Sequence, residues 1–342
     1  MVKYNKHLDL VTRIQSPYNT VNTLRLHASE RDARFSYNMF EHYRELLTDE
    51  VIRYYPNQDL AYELLEQFTT INKAYTVLYD GSDRAIRNIF QVYVEPNSKV
   101  ITTDPCFPMY SVYADMYQAR LYAAKYVTTD FPFADVLTAI DNNTNLVIIS
   151  NPNSPIGDVI THQQLLCLLA QCEKYDCILA VDEAYIEFST AQSLVDLAVT
   201  HPNLIVIRTL SKAVGSAGVR IGYTVSDNSN RALLYKLRNM NDITGPSMAW
   251  LATLNKFKHE INYYVANVIA NRNDLISKLR EHDILCLPSE TNFINAKISI
   301  ENCSYKQCNI LGEDCIRISI PGDSSNYKKL LHELSFSQNA NQ

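Results

Sequence analysis

Through the middle of this chain, short apolar runs alternate with amphipathic stretches. "SKVITTD", "ARLYAAKYV", "NLVIIS", "CILAVDEAY" and "NLIVIRTLS" each read as a strand. "FPMYSVYADMYQA" reads as a helix, and so does "THQQLLCLLAQCEKY", whose Leu165, Leu168, Leu169 and Cys172 repeat at helical spacing. Strands alternating with helices imply an α/β domain with a largely parallel sheet covered on both faces. Ligands of such sheets sit beyond the carboxyl ends of the strands. Three polar motifs fall there: "SNPNSPIGD" after "NLVIIS", "DEAY" after "CILAV", and "SK" after "NLIVIRTL".

Past about residue 230 the pattern changes. "RALLYKLRNMN" and a long helical stretch from about Pro246 to Leu279 lead into strand-like "TNFINAKISI" and "DCIRISIP", and "NYKKLLHEL" supplies a last helix. These features predict a smaller α+β domain over 236–342, a large domain over 36–235, and an N-terminal arm, 1–35, belonging in part to the small one. The final "SFSQNANQ" reads as a frayed tail.

Composition narrows the function classes. A formal charge of −6 leaves no electrostatic footprint for nucleic acid. No apolar run of about 18 residues predicts a membrane span, and the N-terminus lacks a secretory h-region, so the cytoplasm is the expected location. The 8 cysteines form no C-x-x-C pair, and Cys167, Cys172 and Cys177 recur at a spacing that gathers no ligands on one helical face. They read as inert thiols, with no metal site. Glycine is scarce, 8 in 342, yet Gly215, Gly218 and Gly222 crowd into "RTLSKAVGSAGVRIGY". Glycines kept in a glycine-poor chain point to backbone needs: positive φ, or close approach to a ligand.

That stretch also holds Ser211, Lys212 and Arg220. A lysine in a βα loop can condense with a carbonyl once burial or a nearby cation lowers its pKa, or it can be a solvated surface lysine. Asp182 ends a run of four apolar residues, where a buried carboxylate needs a cationic partner. A protonated pyridine is one such partner; an N-capping aspartate is the alternative. Tyr185 follows three residues on. "YDGSDRAIRNIF" places Gly81, Ser82 and Asp83 at a helix start, where free N–H groups bind phosphate, though a Ser82 side-chain cap would read the same way.

The ordered set "GSD", "DPCFPMY", "NPNSPIG", "VDEAY", "TLSK…G…GVRIGY" and "IRISI" resembles the fold-type I pyridoxal-phosphate enzymes, and most nearly the histidinol-phosphate aminotransferases and the related amino-acid-phosphate decarboxylases. The resemblance spans residues 22 to 334. It implies a mostly parallel seven-stranded sheet in the large domain and pyridoxal 5′-phosphate as cofactor. Lys212 becomes the Schiff-base lysine and proton shuttle, Asp182 the partner of the pyridinium nitrogen, and Tyr185 the donor to the ring oxygen. Gly81, Ser82, Asp83, Ser211 and Arg220 become the phosphate cup, and Phe107 the ring that stacks on the pyridine. Tyr55 matches a tyrosine that reaches the other subunit's phosphate, which implies a homodimer with shared sites. Arg317 matches the arginine that grips the substrate carboxylate, and otherwise reads as a surface strand arginine. Glu30 survives from an N-terminal substrate-side signature.

The departures from that pattern cluster near the substrate. Ser154 and Ile156 stand where asparagine and threonine are usual, while Asn153 is kept. "NMNDITGPS" replaces a tyrosine–asparagine motif, and the arginine associated with a substrate phosphate has no clear counterpart in "SIENCSYKQCNILGED". The expected activity is transfer of an amino group between an amino acid and a keto acid, ketone or aldehyde. A decarboxylase with the same cofactor is the alternative. A non-catalytic regulator and a cofactor-free α/β protein are weaker readings.

Overall fold

The structure is a computed structural model that describes residues 6–12, 23–300 and 302–334; the tail expected at 335–342 lies outside the described residues. Seven strands build the main sheet: β1 (Thr76–Tyr79), β2 (Lys99–Asp104), β3 (Arg120–Lys125), β4 (Thr144–Ser150), β5 (Ile178–Asp182), β6 (Leu204–Thr209) and β7 (Gly222–Ser226). Their order is β1-β7-β6-β5-β4-β2-β3. All neighbours are parallel except β7, which runs antiparallel to β1 and to β6. β5 is buried along its whole length and β6 at all but Arg208, because helices cover both sheet faces; the strands therefore read as continuous apolar runs.

The two faces pack different partners. Val147, Val181 and Val206 join a core with the helices His162–Lys174 and Gly245–Lys256, while Ile148, Ala180 and Ile205 face Ile86, Phe90 and Tyr113. A second sheet follows: β8 (Phe293–Ala296), β9 (Lys306–Ile310) and β10 (Glu313–Ser319), antiparallel in the order β9-β10-β8. Its apolar side packs on Tyr264, Val268 and Leu275 of the helix Lys258–Glu281 and on Tyr327 and Leu330 of the helix Ser324–Glu333.

The long helical stretch expected from Pro246 is two helices, Gly245–Lys256 and Lys258–Glu281. Phe257 leaves the helical region (φ −115°, ψ 25°), and its N–H turns back to Thr253 and Leu254. Its ring packs against the large core and edge-on to His42, 5.7 Å away, which anchors the break between the two helices.

Candidate active site

The carboxyl ends of β5 and β6 bring three expected side chains, Asp182, Tyr185 and Lys212, together. Asp182 ends β5 and is 6% exposed. Its Oδ1 accepts from the Ala184 N–H (3.1 Å) and its Oδ2 from the Tyr110 hydroxyl (3.0 Å). Burial raises its pKa to about 6, although Tyr110, the Ala184 amide and the Lys212 charge all favour the carboxylate. Lys212, three residues past β6, donates its Nζ to the Ala28 carbonyl (3.1 Å) and lies 5.5 Å from the Tyr185 ring centroid. Burial alone would push the Tyr185 phenol up; opposing effects, the Lys212 and Arg317 charges foremost, together hold the group below its ordinary value. Lysine, carboxylate and phenol share one cleft.

One end of the cleft is shaped by backbone. Gly81 (φ +111°) is the N-cap of the helix Ser82–Tyr93, so the first helical amides point outward without a side-chain cap. Ser82 is the first helical residue and does not cap, a correction to the capping read from sequence. Arg220 lies over this turn: a Cβ added to Gly81 would meet its Nη2 at 2.3 Å. Gly222 starts β7 beneath the same turn, and a Cβ there would meet the Ser82 nitrogen at 2.2 Å. Close approach thus explains Gly222, and positive φ (+77°) against Arg31 explains Gly215. Gly218 faces open space, so the backbone need expected of it is absent. Asp83 accepts from the Tyr113 hydroxyl (3.0 Å), and Ser211 is buried beside Lys212.

The other end comes from the small sheet. Arg317 on β10 donates to Ser154 Oγ and to the His27 carbonyl, both at 3.4 Å, and its guanidinium lies 4.9 Å from the Phe293 ring centroid. Phe293 in turn meets Tyr185 edge to face at 5.4 Å. Among the described residues, no carboxylate pairs with Arg317. Asn153 is buried, with Oδ1 accepting from Ile156 N–H (3.1 Å) to shape the loop. Phe107 packs edge-on to Tyr110 (5.6 Å). Glu30 is held by Arg25 at 2.8 Å rather than by any of these groups. Tyr55 stands 87% exposed on the outer surface, near exposed Ile52 and Tyr54.

Two residues at this site escaped sequence reading. Tyr110 belongs to "DPCFPMY" but was not assigned a role; only the packing shows that its hydroxyl reaches Asp182. Lys306 lies directly opposite Arg317 in the β9–β10 register. Although it is exposed at the rim, partial burial and then the Arg317 charge hold its ammonium below the usual lysine range. The signal for it was the two-residue turn Leu311–Gly312, both at positive φ, from which pairing counts outward to 306 and 317.

The family model for aminotransferase class I and II matches residues 36–334. The chain belongs to the class I and II aminotransferases. It is 31% identical over 261 residues to the histidinol-phosphate aminotransferase of Flavobacterium johnsoniae, covering 74% of this chain and 72% of that one. It is 30% identical to the enzyme of the same name from Christiangramia forsetii, covering 81% and 82%. The Sinorhizobium meliloti histidinol-phosphate aminotransferase, solved in complex with pyridoxal 5′-phosphate, shares the fold with a TM-score of 0.80 at 22% identity, covering 90% of this chain and 89% of that one. The aminotransferase activity expected from sequence, of the histidinol-phosphate aminotransferase type, stands over the decarboxylase alternative. The mostly parallel seven-stranded sheet with a smaller α+β unit is likewise the fold of this family. Among the described residues, no helix is long and apolar enough to cross a membrane, and no cluster of His, Cys, Asp or Glu is arranged to hold a metal ion.

Proposed function

We propose that this aminotransferase works with pyridoxal 5′-phosphate held between Lys212 and Asp182. The observation that carries the reading is the buried Asp182 carboxylate, held by neutral donors and facing the same cleft as a lysine. A desolvated carboxylate favours a cationic partner, and a protonated pyridine nitrogen has the right charge. The turn at Gly81 fits the phosphate: a side chain there would fill the space beneath Arg220 at the helix start, and Gly222 lets β7 pass against the backbone of the same turn.

When bound, the cofactor supplies an electron-withdrawing ring that stabilises negative charge developing at the substrate Cα. Asp182 would keep the proton on the ring nitrogen, and Tyr185 would donate to the ring oxygen. Ser154 would stand beside Arg317 where the family usually has asparagine, and Asn153 shapes the loop that presents it. Phe107 would cover the ring face. Ser82, Asp83 and Ser211 join Arg220 at the phosphate. Lys212 would hold the cofactor's aldehyde carbon and, as general base and acid, would move the proton at the substrate Cα. Arg317 grips a substrate carboxylate, with Glu30 at the entrance. Lys306, opposite Arg317, adds a second cation that suits an amino compound bearing a further acidic group, such as the phosphate in the relatives' names.

The substrates are thus a small amino donor and a carbonyl acceptor. Tyr55 would complete the site of a second copy in a homodimer, supported by the exposed Ile52 and Tyr54 beside it in the chain and by exposed Tyr37 and Phe40. The working division is an arm over 1–35, a cofactor unit over 36–235 and a smaller unit over 236–342, in the cytoplasm. Absorbance tests the reading: purified enzyme given pyridoxal phosphate develops a band near the visible edge that Lys212→Ala lacks. Wild-type protein that develops no such band would overturn it.

A further inference from the structure

Asp182 is held from below by two hydroxyls, Tyr110 of "DPCFPMY" and Ser150 of "SNPNSPIGD", to which the family resemblance gives no role. Ser150 and Asp182 are register partners at the ends of β4 and β5. Tyr110, in the helix Met109–Met116, reaches up between them, fully buried, with its oxygen 3.0 Å from Ser150 Oγ and 3.0 Å from Asp182 Oδ2. A phenol has one proton. Since Asp182 as a carboxylate can only accept, Tyr110 gives that proton to Asp182 and receives one from Ser150. Burial, and then the Asp182 charge, hold the phenol well above its ordinary value, so it stays a donor across the working range.

We propose that Tyr110 is a positioning residue: oriented by Ser150, it holds Asp182 as a carboxylate aimed into the cleft and so sets the strength of the charge pair with the cofactor's ring. The inference rests on the cofactor reading above. The groups acting on Asp182 are few: Lys212 and Tyr110 favour its charge, Glu183 opposes it, and the Ala184 amide fixes its other oxygen. Cys106 is the remaining titratable group acting on Tyr110. Without the phenol proton, Oδ2 loses its donor while remaining buried. The carboxylate then becomes harder to ionise and freer to turn.

Tyr110→Phe keeps the ring and removes the hydroxyl. Equilibrium dialysis of pyridoxal phosphate at neutral pH is expected to give about tenfold weaker binding, the low end for a hydrogen bond to a charged group. In an Asp182→Asn background the same change is expected to do almost nothing, because the two act as one unit. Equal weakening in both backgrounds would overturn the proposal, since it would mean the hydroxyl merely supports packing. A readout free of cofactor separates this from the reading beneath it. In apoprotein, the melting-temperature gap between Tyr110→Phe and wild type should widen from pH 4.5 to pH 8, where Asp182 must ionise; a pH-independent gap would overturn the proposal even if wild type bound no cofactor. Should Tyr110→Phe fold poorly, Ser150→Ala, which leaves the phenol in place, is expected to shift both measurements the same way by a smaller amount, and no shift would remove the chain.

Discussion

The two ends of the cleft are built differently. The cofactor end rests on strand termini of the seven-stranded sheet, where Asp182, Tyr110 and Ser150 are buried and joined by bonds of about 3.0 Å. The substrate end is assembled from β9, β10 and the segment around His27 to Glu30, with Arg317 held by two contacts of 3.4 Å and Lys306 exposed at the rim. A preorganised pocket suits a group that stays through every turnover, because reorganising it would add to the barrier. A looser pocket, whose cations meet no carboxylate among the described residues, suits ligands that enter and leave. The departures from the family pattern, Ser154 foremost, fall on the loose side, so substrate choice and cofactor chemistry are carried by separable residues.

The largest effect should follow from cutting the rigid end. Lys212→Ala removes the group that moves the Cα proton, and turnover is expected to fall by at least about 10²–10⁴-fold. Single-turnover conversion of an amino donor, followed by absorbance, measures it. If Arg317→Ala proved equally damaging to the single-turnover rate at saturating donor, the division between the two ends would fail.

The cofactor end was also the more legible in sequence. A carboxylate after Ile178–Val181, and a lysine and arginine amid rare glycines, declare a demand that a soluble core does not otherwise make. Tyr110 stayed hidden because its spacing is that of any buried helical aromatic; which partner its hydroxyl finds depends on a strand 40 residues away in sequence. Lys306 stayed hidden because a lysine two residues past a serine is unremarkable until the Leu311–Gly312 turn sets the register. Gly218 misled in the other direction, since scarcity alone does not distinguish a required glycine from a tolerated one.

A smaller effect concerns stability and has a definite sign. In apoprotein, burial raises Asp182 to about 6, above the ordinary aspartate range. A carboxyl whose folded pKa is raised favours the folded state while protonated, so that contribution is present below the unfolded value near 3.9 and is lost as pH rises to about 6. Two units amount to about 3 kcal/mol, an order-of-magnitude figure. Apo Asp182→Asn should therefore be more stable than apo wild type at pH 8 and closer to it at pH 4, by denaturant melts at both values. An advantage unchanged between the two would mean that the carboxylate is not strained by its burial, and the contrast with the open end would lose its physical basis.

On the substrate side the two cations should divide the loss. Arg317→Ala is expected to lower kcat/KM for an acidic donor by about 10²-fold, the upper range for a charge-assisted bond. Lys306→Gln should lower it about tenfold for donors with a second acidic group and under about twofold for donors without one, because a partly exposed lysine interacts through solvent. Equal losses for both donor classes would reduce Lys306 to a hairpin support.

The smallest effect belongs to Ser154, although it is the most visible departure from the family. Its hydroxyl lies 3.4 Å from Arg317 Nη1, beyond the usual range for a strong N–H···O bond. A contact so long is worth about 0.5 kcal/mol at most, or roughly a twofold change. Ser154→Ala should therefore raise the donor KM by about twofold and leave the cofactor's affinity unchanged, whereas an asparagine in its place would bring a stronger donor to the ring oxygen and shift the cofactor's absorbance-versus-pH midpoint. If Ser154→Ala moved that midpoint instead, serine would already be serving the rigid end, and the line between cofactor and substrate residues would run one position closer to Arg317.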